Sequence, residues 1–224
     1  MAITITDAAL LRLLQLASPA LPVGAYAFSQ GLESAVELGW ITDQKSTGSW
    51  LDDQLRHSLA AVDLPLLLRM MNALRQRDHA ALRYWNDTLL ACRETAELRL
   101  GELATGEALA RLLAGLEIPR IAQIDPPTFL LEFCTAALHF KLSADHAALG
   151  YLWSWLENQV MAATKLVPLG QTQAQRLLSE TMTSIPAAIA CARAVADEDI
   201  GASLPGIALA SVQHERQYSR LFRS

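Results

Sequence analysis

Residues 18–33 read Ser18-Pro19-Ala20-Leu21-Pro22-Val23-Gly24-Ala25-Tyr26-Ala27-Phe28-Ser29-Gln30-Gly31-Leu32-Glu33, and they interrupt a chain whose patterns are otherwise helical. Pro19 and Pro22 each lack an amide hydrogen and disfavour the α conformation of the residue before them. Gly24 and Gly31 supply backbone freedom or close approach. Because the segment is also rich in apolar side chains, it must pack against other residues. This Pro/Gly segment (residues 18–33) is either a buried interhelical connection or a preorganised docking surface.

The composition limits the classes of protein to which the chain can belong. It has 224 residues, of which 52% are hydrophobic and 18% charged, and its formal net charge is -5. These values fit a single domain with a sizeable core, and they give no basic surface for nucleic acid or membrane. The three cysteines lie far apart, no leader peptide is visible, and no apolar run reaches the ~18 residues that a membrane span requires. We therefore expect a soluble, cytoplasmic protein.

The hydrophobic pattern predicts an all-α fold of about ten helices. Caps and breaks at regular intervals separate segments with helical periodicity, and no segment shows the alternation of a strand. We expect one all-helical domain over residues 1–206, in which residues 197–206 form a mobile linker, followed by a flexible C-terminal tail over residues 207–224. The mean hydropathy of +0.21 suggests that partner subunits cover part of the apolar surface.

The tail differs from the rest of the chain. It holds one glutamate against three arginines, for a local charge of +2, and it carries Tyr218, Leu221 and Phe222. Arginine and aromatic residues are typical anchors of protein interfaces. Composition alone leaves a second interpretation equally open, in which the tail is a helix folded back onto its own bundle.

Residues 93–99 predict a charged helical segment. Glu94 and Glu97 are three residues apart, and Arg93 precedes Glu97 by four, so all three would be neighbours on a helix. The simplest interpretation is a solvated face with salt bridges, and a binding surface is the alternative.

The sequence carries no recognisable catalytic motif. The glycines of residues 101–106 have the spacing of a phosphate-binding loop but lack its lysine and hydroxyl. No Asp or Glu has a histidine three residues after it, as a carboxylate-bridged metal enzyme of the helical-bundle type would need. The five scattered histidines also disfavour a self-contained metal chaperone. We expect no enzymatic activity, with these two classes as the alternatives.

Four motifs together resemble the UreF family of urease accessory proteins over essentially the whole chain. In order, they are the Pro/Gly segment, Arg93-Glu94-Thr95-Ala96-Glu97-Leu98-Arg99, Lys165-Leu166-Val167-Pro168-Leu169-Gly170-Gln171 and His214-Glu215-Arg216-Gln217-Tyr218-Ser219-Arg220-Leu221-Phe222-Arg223-Ser224.

This resemblance implies an all-helical homodimer that acts as a scaffold in urease maturation. It implies three partners: the accessory protein UreD (also called UreH), the GTPase UreG and apo-urease. Nickel would pass through in transit, whereas GTP and Mg²⁺ would belong to the GTPase. No cofactor would be stably bound by this chain, and no metal ligand, catalytic residue, nucleic acid or membrane contact is expected.

The resemblance also points to the residues that would contact partners. The tail would fold against the Pro/Gly segment when UreD binds, with Arg220 pairing with Tyr26, while Lys165 would face the GTPase and Glu94 with Glu97 would form a second, weaker surface for it. The predicted partner-binding residues are Pro22, Gly24, Tyr26, Ser29, Glu33, Glu94, Glu97, Lys165, Gln171, His214, Glu215, Tyr218, Arg220, Leu221, Phe222 and Arg223.

Overall fold

The structure is a computed structural model that describes residues 5–121 and 123–223, and these residues form eleven α-helices and no strand. The all-α prediction is confirmed. The prediction that no leader peptide is present falls partly on residues 1–4, which lie outside the described residues, as does Ser224 at the end of the last motif. The helices are α1 (Asp7–Leu16), α2 (Leu32–Glu37), α3 (Gln44–Gln54), α4 (Asp63–Gln76), α5 (His79–Cys92), α6 (Ala96–Gly115), α7 (Phe129–His139), α8 (Ala144–Leu166), α9 (Gln171–Thr181), α10 (Ile185–Ala194) and α11 (Pro205–His214).

Helix α4 lies at the centre of the main apolar core and packs against α5, α7, α8 and α10. A helix that is apolar over most of its circumference is typically buried on all sides. Met70 and Met71 are both fully buried although they are consecutive and therefore point in different directions. Helices α6 and α7 approach closely at Gly106, since a Cβ there would lie only 2.7 Å from the backbone nitrogen of Phe129. Within the described residues, no helix is both long and apolar enough to cross a bilayer.

Side chains cap several of the helices at their first turn. Asp78 caps α5 and Ser143 caps α8, each through its side-chain oxygen. Helix α3 is capped by Asp43, with Ser46 completing a capping box. Asp63 is the first residue of α4, but its carboxylate is turned into a buried ion pair. The predicted helix over residues 93–99 is interrupted, because α5 ends at Cys92 and α6 begins at Ala96.

The Pro/Gly segment is a packed connection between α1 and α2. Gly24 and Gly31 have left-handed backbones, with φ of +75° and +86°, which glycine adopts without a steric penalty. Helix α8 holds the segment in place: Trp155 Nε1 donates to Gln30 Oε1 at 2.9 Å, and Asn158 Nδ2 donates to the Ala25 carbonyl at 3.2 Å. The interior of the segment is therefore fixed before any partner binds.

The C-terminal residues are folded back onto the bundle, which was one of the two interpretations left open by composition. Helix α11 packs on α2, and Gly31 permits the approach because a Cβ there would already touch Ala210 at 3.4 Å. The preceding linker is bonded to the body, with Arg69 Nε donating to Asp197 at 2.9 Å and Ser203 Oγ donating to Glu94 at 2.7 Å. A second apolar cluster results, made of Leu32, Ala35, Ile41, Ala162, Ala163, Val167, Ala210 and Phe222.

Candidate partner-binding site

His214 lies at the centre of a buried polar cluster that joins the tail to the bundle. It is the last residue of α11 and is 0% exposed. Its Nε2 lies 3.0 Å from Oε2 of Glu33 in α2. Its Nδ1 lies 2.9 Å from Oε2 of Glu97 in α6. One imidazole therefore bridges carboxylates from two helices that are far apart in the sequence.

The same two carboxylates hold the last residues of the tail. The backbone amides of Leu221 and Phe222 donate to the two oxygens of Glu33 at 2.7 and 2.9 Å. Arg220 Nη1 donates to Oε1 of Glu97 at 3.0 Å. We call Glu33, Glu97, His214 and Arg220 the tail anchor. Hydrogen bonds with a charged partner are about twice as strong as neutral ones, so this cluster is a firm attachment.

Aromatic and cationic side chains flank the tail anchor. The ring of Phe222 is buried in the second apolar cluster, and Lys165 Nζ lies 5.5 Å from its centroid. The guanidinium of Arg223 lies 5.5 Å from the ring of Phe28, and its backbone amide donates to the Ala27 carbonyl at 2.7 Å. The tail end therefore runs alongside the Pro/Gly segment in the chain by itself, and its folding there in response to UreD stays a prediction. The predicted pairing of Arg220 with Tyr26 is wrong, because the guanidinium of Arg220 bonds Glu97 instead.

Three large side chains of the Pro/Gly segment and the tail are exposed. Tyr26 is 60% exposed, Leu221 is 62% exposed and Tyr218 is fully exposed. Each belongs to a segment whose neighbouring residues are buried or hydrogen-bonded. Exposed tyrosine side chains on an ordered backbone are typical anchors of protein interfaces, and the exposed leucine adds apolar area beside them. We call these three residues the outer face.

The predicted partner-binding residues divide by burial. Those on the surface are Pro22, Tyr26, Glu94, Lys165, Gln171, Glu215, Tyr218, Arg220, Leu221 and Arg223, while Gly24 is half-buried. Ser29, Glu33, Glu97, His214 and Phe222 are buried, so they have no surface to offer a partner while the tail is docked. The last four hold the tail, whereas the Ser29 hydroxyl accepts from the backbone amide of Glu33. In particular, Glu97 does not form a solvated pair with Glu94, and Arg93 does not bond it.

Sequence reasoning missed a second buried network. Arg93 Nη2 lies 2.6 Å from Asp63 and 2.7 Å from Glu102, and the Tyr151 hydroxyl donates to Asp63 at 2.7 Å. Burial and then the charge of Asp63 raise the pKa of Tyr151 well above its usual range, so its hydroxyl keeps the proton that it donates. The only sequence signal was Asp63 ahead of Leu64-Pro65, which also fits a helix cap.

This network borders a cavity of about 140 Å³ between the Pro/Gly segment, α6 and α8. The carboxylates of Asp63 and Glu102 are both occupied by Arg93, so neither is free as a ligand or a base. Among residues 5–121 and 123–223, no three His, Cys, Asp or Glu side chains are arranged to hold a metal ion.

Known proteins with similar sequences share one description. The UreF family model matches residues 41–182. The urease accessory protein UreF of Marinomonas sp. (strain MWYL1) is 53% identical over 223 residues, which are 99% of this chain and 97% of that protein. The protein of the same name from Alkalilimnicola ehrlichii is 49% identical over 95% of each chain. That from Psychrobacter cryohalolentis is 45% identical over 98% of this chain and 96% of its own. This chain belongs to the UreF family of urease accessory proteins.

Proposed function

We propose that this protein is a non-catalytic scaffold in urease maturation, which links UreD (UreH) to the GTPase UreG and regulates GTP-dependent insertion of nickel into apo-urease. Family membership supports the role in maturation. The observation that carries the finer proposal is the tail anchor, because it attaches the last residues of the chain to the Pro/Gly segment and leaves the outer face exposed. In this proposal, nickel is cargo in transit, GTP and Mg²⁺ are held by UreG, and the scaffold works as a cytoplasmic homodimer.

The outer face is the proposed UreD surface. Its backbone is already ordered by Glu33 and by Asn158, so binding does not have to order it again, and preorganisation of this kind raises affinity. The three side chains are apolar or aromatic, while Arg220 and Arg223 at its edge provide cations. A partner of matching chemistry has an apolar patch with acidic groups at its rim.

Substitution at the outer face tests this surface. Tyr26→Ala combined with Leu221→Ala should weaken capture of UreD at least tenfold, because interface anchors typically contribute about 2 kcal/mol or more each. The measurement is a titration of the purified variant against UreD, with circular dichroism to verify the fold. Tyr84→Ala is the matched control, since Tyr84 is also 60% exposed but lies on α5. Equal UreD affinity for the double variant and the wild type would contradict the proposal.

Lys165 is the proposed contact with UreG. It is exposed near the end of α8, yet it also lies over the Phe222 ring, so the surfaces proposed for the two partners adjoin each other. Lys165→Ala should weaken UreG binding, or change GTP hydrolysis in the assembled complex, while UreD binding remains. The control is Lys45→Ala, an exposed lysine on α3. Unchanged UreG binding and hydrolysis with Lys165→Ala would remove this residue from the proposal.

Equilibrium dialysis against Ni²⁺ separates the scaffold from the two alternatives raised by the sequence. A self-contained nickel chaperone or a helical-bundle metal enzyme should retain nickel stoichiometrically when it is isolated. A scaffold through which nickel only passes should retain no stoichiometric nickel.

A further inference from the structure

The hydrogen bonds of the tail anchor require one proton more than a neutral His214 and two ionised glutamates carry. A carboxylate accepts hydrogen bonds and donates none, and a neutral imidazole donates from only one of its nitrogens. Both nitrogens of His214 nevertheless lie 2.9–3.0 Å from carboxylate oxygens, on Glu97 and Glu33. With both glutamates ionised, the two contacts are hydrogen bonds only when His214 carries two N–H groups. With a single N–H, one nitrogen would present its lone pair to a carboxylate.

The charges of the surrounding groups lead to the same conclusion. Two charged side chains contact His214, Glu33 from α2 and Glu97 from α6, and Arg220 from the tail contacts Glu97 in turn. Two negative charges and one positive charge leave the set at -1, and a protonated His214 brings it to zero. Because His214 is fully buried, an uncompensated charge at this place is costly.

We propose that the tail is a proton-operated latch, docked while His214 is protonated and released when the proton is lost. Glu33 transmits the effect, because the carboxylate that accepts from His214 Nε2 also accepts from the amides of Leu221 and Phe222. Release of these amides frees Leu221 and Phe222 from the Pro/Gly segment and disassembles the outer face. This inference rests on the proposed function only for its consequence, namely that UreD binding follows the state of the latch.

The direction of the effect follows from linkage. The docked state holds on His214 a proton that the released state does not require, so docking strengthens as the pH falls and weakens as it rises.

Nuclear magnetic resonance on the full-length protein, without partners, tests the latch directly. The ¹⁵N shifts of the His214 ring report its protonation, and the amide proton shifts of Leu221 and Phe222 report their bonds to Glu33. Between about pH 6 and about pH 9, we expect the imidazolium signature and the downfield amide shifts to disappear together. A neutral His214 ring while both amides remain bonded would overturn the proposal, as would amide shifts that do not change over this range.

Glu33→Gln distinguishes a latch from a merely structural contact. Its amide oxygen still accepts from Leu221, while its NH₂ group, in the place of Oε2, donates to a neutral His214 and leaves the Phe222 amide without this acceptor. The variant should therefore dock its tail less tightly but lose the pH dependence of docking. Docking that weakens with rising pH as it does in the wild type would contradict the latch. Glu37→Gln, on the exposed side of α2, is the control. If Glu33→Gln does not fold, the wild-type titration decides alone.

The UreD titration, repeated at the two ends of the pH range, separates this inference from the proposed function. Tail release without loss of UreD affinity would leave the latch standing and contradict the UreD surface. If UreD affinity depends on Tyr26 and Leu221 but the tail never responds to pH, the UreD surface would be supported and the latch contradicted.

Discussion

At the scale of single residues, the fold depends on charges that are buried in pairs. Arg93 lies in the break between α5 and α6 and bonds Asp63 in α4 and Glu102 in α6. Burial alone would lower the pKa of Arg93. The charges of Asp63 and then Glu102 outweigh this effect and raise the pKa, so the guanidinium remains charged. One side chain thus connects three helices.

Removing Arg93 should destabilise the protein strongly. Arg93→Ala leaves two buried carboxylates without a counter-charge, which should reduce the free energy of unfolding by about 3–5 kcal/mol. Urea denaturation followed by circular dichroism measures this loss. Arg111→Ala is the control, because Arg111 pairs with Glu107 on the exposed side of α6 and such pairs contribute about 0–1 kcal/mol. Similar stability of the two variants would show that the ion pairs of Arg93 with Asp63 and Glu102 do not hold α4, α5 and α6 together.

At the scale of helices, the approach of α6 to α7 depends on Gly106. A Cβ at this position would lie 2.6 Å from the carbonyl carbon of Thr128 and 2.7 Å from the nitrogen of Phe129. These are backbone atoms at the start of α7, so they cannot move aside as the end of a flexible side chain can. The Thr128 hydroxyl also donates to Oδ1 of Asn86 in α5 at 2.9 Å, and this bond holds the start of α7 in place.

Gly106→Ala should therefore destabilise the protein even though alanine favours helix. The gain in helix propensity is about 1 kcal/mol, whereas overpacking against fixed atoms costs about 1–3 kcal/mol. We expect a lower thermal midpoint in a calorimetric scan. Gly115→Ala at the end of α6 meets nothing within 4 Å and should not lower the midpoint. A midpoint for Gly106→Ala at or above that of the wild type would refute the close approach.

At the scale of the whole molecule, the apolar interior is divided. The main core joins α1, the Pro/Gly segment and α3 to α10, while the second cluster joins α2, the end of α8, α11 and the tail. Elements held by a small separate cluster can open without unfolding the rest. Because Phe222 and the tail anchor hold the tail, we expect it to open while the main core stays folded.

Phe222→Ala should loosen the tail selectively. Truncating a buried phenylalanine costs about 3–5 kcal/mol in a core, but here the loss should be confined to the docking of residues 205–223. Hydrogen exchange read by mass spectrometry should show faster exchange in α11 and the tail, with α4 and α7 unchanged. Val212→Ala, on the exposed side of α11, is the control. Faster exchange of α4 in Phe222→Ala would contradict the division of the interior.

Part of the site was predictable from residue types and spacing. The prolines and glycines of residues 18–33 predicted a rigid connection, and the arginines and aromatics of the tail marked it as unusual. The family motifs named Glu33, Glu97, His214 and Arg220 separately. Their assembly into one cluster was not predictable, because 117 residues separate His214 from Glu97 and 181 separate it from Glu33. No periodicity relates positions so far apart.

By itself, the sequence determined that the chain is helical, where most helices are interrupted and which family it belongs to, since propensity, capping and motif order are local properties. Tertiary structure alone decided that Arg93 bonds Asp63 rather than Glu97, and that His214 and Glu97 are buried rather than exposed. Burial and ion pairing depend on which helices meet. That is settled by the packing of apolar faces over the whole chain, and the same residue types serve equally well on a surface or in a core.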